Sequence, residues 1–220
     1  NSGESEDGYV YYDLVNYQSQ LNAKLTSDID LTQLKDADGN ELSWVPINGY
    51  SGTFDGGGHT ITVNNTYYSN EGVYYQGFFD MLDGATIKNL VVAGEETISE
   101  SGLDYCGGIA RFAGDTSSSI KETKFINCVN KRKLTVSGNV VHIGGFVGYF
   151  QKNDNNSLNF ENCINLGEIN VSDVSTEPYV AGFTTGATFY TKCINAGNVT
   201  GATYLSNSDG VASGTVAGFD

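Results

Sequence analysis

Ile143-Gly144-Gly145-Phe146-Val147-Gly148-Tyr149 is one of several variants of a single phrase. The others are Tyr75-Gln76-Gly77-Phe78-Phe79, Cys106-Gly107-Gly108-Ile109-Ala110, Val180-Ala181-Gly182-Phe183-Thr184 and the closing Val216-Ala217-Gly218-Phe219-Asp220. Their common glycines, Gly77, Gly108, Gly145, Gly182 and Gly218, are 31, 37, 37 and 36 residues apart. A period of that length marks a repeat architecture in which each unit buries its apolar face against its neighbours.

Each unit carries two further apolar pieces. One reads IKNLVV (87–92), FINCVN (125–130), FENCIN (160–165) and YTKCIN (190–195); the other reads KLTVSG (133–138), GEINVS (167–172) and GNVTGA (197–202). Short pieces rich in β-branched and aromatic residues, separated by Gly, Asn, Ser and Asp, read as strands and turns. Three strands per unit repeated in register predict a solenoid of about five coils, where a sandwich would show hairpin turns without a long period. Equivalent strands then stack in parallel, about 4.8 Å apart, and like residues form ladders.

The flanks read differently. Asn1 to Gly8 is a polar linker, and with no initiator Met the chain reads as a trimmed, mature segment. Tyr11, Leu14, Val15, Gln18 and Leu21 fall largely on one helical face, predicting a helix near 10–22 within a cap spanning 9–24. Such a cap would cover the first open strand edge. Leu25, Ile29 and Leu31 then alternate with Asp28 and Asp30 as in a half-buried strand. The repeat domain is assigned to 25–220, and the final phrase stops in mid-unit, so its end reads as truncated or uncapped.

Composition narrows the function classes. Net charge is -15, which excludes nucleic acid and anionic lipid as obvious partners, since both call for Lys and Arg. No apolar run approaches the ~18 residues of a membrane helix. An acidic surface rich in Tyr, Asn and Thr fits a secreted or cell-surface protein.

LTSDIDL (25–31), WVPI (44–47), GTFDGGGHTITV (52–63), the Gly-Gly phrases and the N-C-x-N pieces together resemble the GLUG-repeat proteins, over roughly residues 20–220. That resemblance implies an all-β, right-handed parallel β-helix on a bacterial cell surface, as in adhesin-like proteins and the non-catalytic part of immunoglobulin A peptidases. It implies a role in adhesion or binding to a host protein or glycan, with a structural stalk and a polysaccharide lyase or glycoside hydrolase as alternatives. No catalytic residue and no cofactor follow from it. His59 and His142 are the two histidines and no His-Glu-x-x-His occurs, so peptidase chemistry does not carry over. Ala181, Ala217 and Lys192 depart from the pattern and read as repeat drift.

Several residues invite a chemical reading. Cys128, Cys163 and Cys193 recur at one position and predict a buried thiol ladder without C-x-x-C metal spacing, with Cys106 also in the core. Asn127 and Asn162, with Asn130, Asn165 and Asn195, predict structural amide ladders. Asp28 and Asp30 share a strand face at a separation that could suit paired acid-base carboxylates, or simply a solvated edge. Asp36, Asp38 and Asn40 resemble part of a calcium loop without its full spacing. Asp55 and His59 flank a triglycine turn with no Lys-Ser/Thr after it, which rejects nucleotide binding. Tyr67, Tyr68, Tyr74 and Tyr75 form a candidate ligand surface or, with one of each pair pointing inward, plain strand packing. Lys121, Lys124, Lys131, Arg132 and Lys133 read as a solvated basic edge or a contact patch.

Overall fold

The structure is a computed structural model, and it describes residues 20–64, 68–70, 73–99, 103–114, 119–138, 140–172, 178–186 and 189–201. The polar linker, most of the expected helical cap, Tyr67 and the terminal Val216-to-Asp220 phrase lie outside the described residues.

Parallel strands dominate, and they stack as a β-solenoid. Two sheets are six strands deep, one containing Lys121–Ile126 and the other Val129–Asn130. A sheet of four contains Lys133–Val136, one of three contains His142–Gly144, and a pair contains Val147–Phe150. Among the described residues, complete circuits occupy the centre, and the first and last layers contribute fewer strands. The sole antiparallel sheet among these residues is the hairpin of Tyr68–Asn70 and Val73–Tyr75. Ala23–Lys24, placed by the sequence in the helical cap, is instead the first strand of a six-stranded sheet and pairs with Phe54 and Asp55. The Asn22 side chain accepts from the Thr53 amide at 2.8 Å and the Leu21 carbonyl accepts from the Tyr50 hydroxyl at 2.8 Å, tying that segment to the next layer.

The three apolar pieces of a unit resolve into five short strands, because two of them bend. FINCVN breaks at Asn127, where φ is 54°, into Lys121–Ile126 and Val129–Asn130. Asn89, Asn162 and Lys192 hold the same corner in other layers, with φ of 51°, 52° and 54°. Asn visits this left-handed region at lower cost than most residues because its short amide bonds locally. The glycine phrase breaks between His142–Gly144 and Val147–Phe150.

Columns of like residues fill the interior. Ala23, Phe54, Ile87, Phe125, Phe160 and Tyr190 are successive partners in one sheet. The Phe125 and Phe160 rings stack at 5.1 Å, and Phe160 stacks on Tyr190 at 5.4 Å. Phe146 stacks on Phe183 at 4.7 Å, and Trp44 on Phe78 at 5.1 Å. Such rings add to stability beyond the area they bury.

Another column, Ile29, Ile61, Val92, Asn130, Asn165 and Asn195, switches from aliphatic to amide partway along. The Gly-Gly phrase explains the switch. Asn130 Nδ2 donates to the Gly145 carbonyl at 2.7 Å and to Asn165 Oδ1 at 2.8 Å, and Asn165 Nδ2 donates to Asn195 Oδ1 at 2.9 Å. A Cβ on Gly145 would lie 2.0 Å from the Gly182 carbonyl oxygen and 2.7 Å from the Asn165 side chain. The second glycine of the phrase and the last Asn of N-C-x-N therefore lock into each other inside the coil.

Candidate functional site

The thiols follow directly on the amide corner, Cys128 after Asn127 and Cys163 after Asn162. Ile164 N donates to the Cys128 carbonyl and Ile194 N to the Cys163 carbonyl, which sets Cys128, Cys163 and Cys193 in one column. All are buried and free, as is Cys106. Cys128 Sγ donates to the Ile87 carbonyl and Cys163 Sγ to the Phe125 carbonyl, each at 3.4 Å. Hydrogen bonding with Cys128 and burial push the Cys163 thiol up to about 12. Burial, then the Glu96 charge, raises Cys106 well above its usual value. Cys163 and Cys106, held in this protonated form, are poor nucleophiles and poor metal ligands.

The outer amides form a second chain. Asn162 Nδ2 donates to Asn127 Oδ1 at 3.2 Å, Asn127 Nδ2 to Asn89 Oδ1 at 3.1 Å, and Asn89 Nδ2 to Asp55 Oδ1 at 3.0 Å. The triglycine turn supports Asp55, which also accepts from Gly57 N at 3.0 Å.

The carboxylates of the first layers serve turns. Asp28 accepts from the Thr60 amide at 2.9 Å and approaches His59 Nδ1 at 3.3 Å, while Asp30 accepts from the Thr32 amide at 2.9 Å and hydroxyl at 2.6 Å. Those bonds hold both carboxyls below the usual range, so neither is poised as a general acid. In the calcium-like loop, Asp36 accepts from the amides of Asp38 and Asn40 and from Asn40 Nδ2. Its oxygens are engaged by the turn itself. Among the described residues no group of three or more His, Cys, Asp or Glu could hold a metal ion.

The five basic residues do not form one edge. Arg132 is fully buried, since it points inward between exposed Lys131 and half-exposed Lys133. Its guanidinium donates to Glu96 at 2.9 Å and to the Gly108 carbonyl at 3.0 Å. Gln76 donates to the same carboxylate at 2.6 Å and brackets Gly107 with two further bonds, at 2.9 and 2.8 Å. Lys121 pairs with Asp83 at 2.5 Å, and Lys124 with Glu122 at 2.7 Å.

Of the tyrosines singled out by sequence, Tyr74 is half-buried and packs against the apolar cluster that holds Ile98, Leu103, Cys106 and Leu134, and Tyr75 is also half-buried. Tyr68 sits on the antiparallel hairpin, opposite Tyr75. A different aromatic group is assembled by the repeat. Tyr105, His142 and Tyr179 are stacked partners one layer apart, and Phe112 pairs with Tyr149 in the adjoining sheet. Tyr105 and Tyr149 stack at 4.8 Å, His142 lies 4.6 Å from Tyr149, and His142 stacks on Tyr179 at 5.1 Å. Phe112 completes the group, 5.7 Å from Tyr105. These rings lie on the outside of the coil; Tyr105, Phe112, His142 and Tyr149 are half-buried and Tyr179 is exposed, at 40%. The signal was available in the sequence: a ring precedes the glycine pair in Tyr105-Cys-Gly-Gly, His142-Ile-Gly-Gly and Tyr179-Val-Ala-Gly.

One hydroxyl fixes the imidazole. Thr185 Oγ1 donates to the Gly148 carbonyl at 2.7 Å and lies 2.9 Å from His142 Nδ1. A hydroxyl has one proton, so Nδ1 carries the hydrogen of the other bond and Nε2 is left as an acceptor. Burial lowers the His142 pKa, against the opposing pull of Asp104, and favours this neutral form. The cluster thus offers phenol hydroxyls, ring edges and one imidazole acceptor on a rigid support.

Compared with models of known protein families, with curated proteins and with solved structures, the chain has no match in any of the three.

Proposed function

We propose that this chain is a non-catalytic binding module of a bacterial cell-surface protein, gripping a host protein or a glycan through the ring cluster of Tyr105, Phe112, His142, Tyr149 and Tyr179. The observation that carries the reading is that five rings gather on the outer face of a stacked β-scaffold, where core packing does not require them. Aromatic side chains give wide contact area at low entropic cost, and here their rotamers are restrained by one another. The extracellular setting rests on the resemblance of the repeat residues to the GLUG-repeat proteins.

The test is direct binding of the purified chain to immobilised glycans and to purified host surface proteins, with Tyr179→Ala and Tyr149→Ala alongside. The reading expects at least one partner whose affinity drops about tenfold or more in either variant. Uniformly blank surfaces would remove it, and a stalk role would then be the better account, since interlayer ladders also suit a stiff spacer.

A further inference from the structure

A recess of about 260 Å³ opens on the outward face of the sheet containing Lys121–Ile126, Asn156–Glu161 and Phe189–Thr191. Strand register builds its walls. Lys124, Asn159 and Phe189 are successive partners in one outward column, and Ile126, Glu161 and Thr191 in the next. Columns stand two residues apart along a strand, about 6.6 Å, and layers about 4.8 Å apart. Glu161 and Phe189 therefore occupy adjoining corners of one small grid. The ring cluster stands on other sheets.

Part of the wall is already satisfied. Lys124 Nζ bonds Glu122 at 2.7 Å, and Asn159 Nδ2 donates to the same carboxylate at 2.6 Å. The two charges of that trio cancel, and Asn159 keeps its carbonyl oxygen as an acceptor. Glu161 is different. It is exposed, and its carboxylate has no ion pair or hydrogen bond among the described residues. Two lysines stand close enough in the chain to answer it, and neither does: Lys124 turns to Glu122, and Lys192, beside Thr191, forms no ion pair among the described residues. Phe189 is 66% exposed and has no ring partner among the described residues.

The recess thus holds in reserve one full carboxylate, an amide oxygen, a hydroxyl and an open ring. Its charged groups, Glu122, Lys124 and Glu161, leave one negative charge, on a chain of net charge -15. An anion is repelled by that charge, and a neutral group gains nothing from it. A cation gains from Glu161 and from the negative face of the Phe189 ring together. Among cations, a guanidinium fits the pair of features. It forks two parallel N–H bonds onto a carboxylate, lies flat on an aromatic ring and is weakly hydrated. An ammonium is a compact, strongly hydrated point charge that can neither fork nor stack. We propose that this recess binds a guanidinium group, stacked on Phe189 and forked onto the Glu161 carboxylate, with Asn159 Oδ1 and the Thr191 hydroxyl as further acceptors. An arginine side chain of a partner protein and a free alkylguanidine both carry that chemistry.

The experiment follows the backbone amide shifts of the isotope-labelled chain in low-salt buffer. It is titrated with butylguanidinium, with the end-capped peptide Gly-Gly-Arg-Gly-Gly and with butylammonium. Butylguanidinium should bind with a Kd of roughly millimolar order, as suits one shallow contact. It should move the amides of Asn159, Glu161, Phe189 and Thr191, and bind about threefold or more tighter than butylammonium. A peptide that binds more tightly than butylguanidinium assigns the source to a partner protein, and a peptide that is excluded assigns it to a free alkylguanidine. Glu161→Gln and Phe189→Ala, both at exposed positions, should each weaken binding about fivefold or more. Glu168→Gln removes an equal charge at another exposed position and should leave the affinity within about twofold. No binding by either guanidinium probe, equal binding by butylammonium, unchanged affinity in Glu161→Gln or Phe189→Ala, or shifts centred on Tyr105, His142 and Tyr179 would each overturn the proposal. The ring-cluster reading is decided by Tyr149 and Tyr179 variants on glycans and host proteins, so the two fail separately.

Discussion

Lys192 occupies a backbone conformation that its three counterparts reach more cheaply. Its φ is 54°, and the equivalent corners carry Asn89, Asn127 and Asn162. A side chain with a full Cβ and no local hydrogen bond pays roughly 1 kcal/mol or more in this region. Lys192→Asn is expected to raise stability by about 1 kcal/mol, read as a shift in the urea midpoint at constant m-value. Lys192→Gly relieves the backbone without adding an amide, so a smaller gain there would assign the remainder to a new bond with Asn162. The sequence showed Lys192 only as an interruption of a motif. The reason Asn is needed there is a dihedral angle, which no residue pattern displays.

At the scale of the strand and its neighbours, the pair of Glu96 and Arg132 replaces what other layers build from apolar residues and glycine. Glu96 pairs with Leu134, and Leu134 with Ile169, while Gly167 stands where Arg132 does one layer earlier. Removing one partner leaves a buried charge, so Arg132→Gly and Glu96→Leu should each cost about 3–5 kcal/mol. The double variant Glu96→Leu/Arg132→Gly, assembled from residues the repeat already uses, should recover most of that loss. Gln76 would still bond Gly107 in it. A double-mutant cycle by chemical denaturation measures the coupling, and additive losses would show that the pair is not a unit. Charge clustering reads Lys131-Arg132-Lys133 as part of a basic edge, whereas strand alternation places one of the three inward. Which of two rules prevails depended on Glu96, a partner 36 residues away. The strand sequences and the columns of Phe, Cys and Asn were legible because parallel in-register stacking repeats them. The ring cluster left a signal, a ring two places before the glycine phrase at Tyr105, His142 and Tyr179, but one that is easily passed over because Tyr and His share one role there under different names.

For the molecule as a whole, acid should be felt through His142. Its pKa is lowered in the folded chain, by burial first and against Asp104. The unfolded chain therefore binds the proton more readily, and the associated stability is fully present above the ordinary imidazole range near 6.5 and is lost as pH falls through it toward the lower folded value. Denaturation midpoints at pH 7.5 and pH 5 should differ more in the parent chain than in His142→Gln. Equal differences would place the acid sensitivity elsewhere. Asp28, Asp30, Asp36 and Asp55 have lowered values as well, so their share is lost only at more acidic pH, as their own folded values are crossed.

The two amide chains run in opposite senses along the stack. In the buried one, Asn130 donates to Asn165 and Asn165 to Asn195, toward later layers; in the outer one, Asn162 donates to Asn127 and Asn127 to Asn89, toward earlier ones, ending on the Asp55 carboxylate. Bonded amides polarise their neighbours, so each chain is a small wire of aligned dipoles. Laid head to tail against each other, the two wires oppose along the axis where they overlap. Their polarity also gives the stack a direction: a layer that extends both wires must offer an acceptor to the buried one at Asn195 and a donor to the outer one at Asn162.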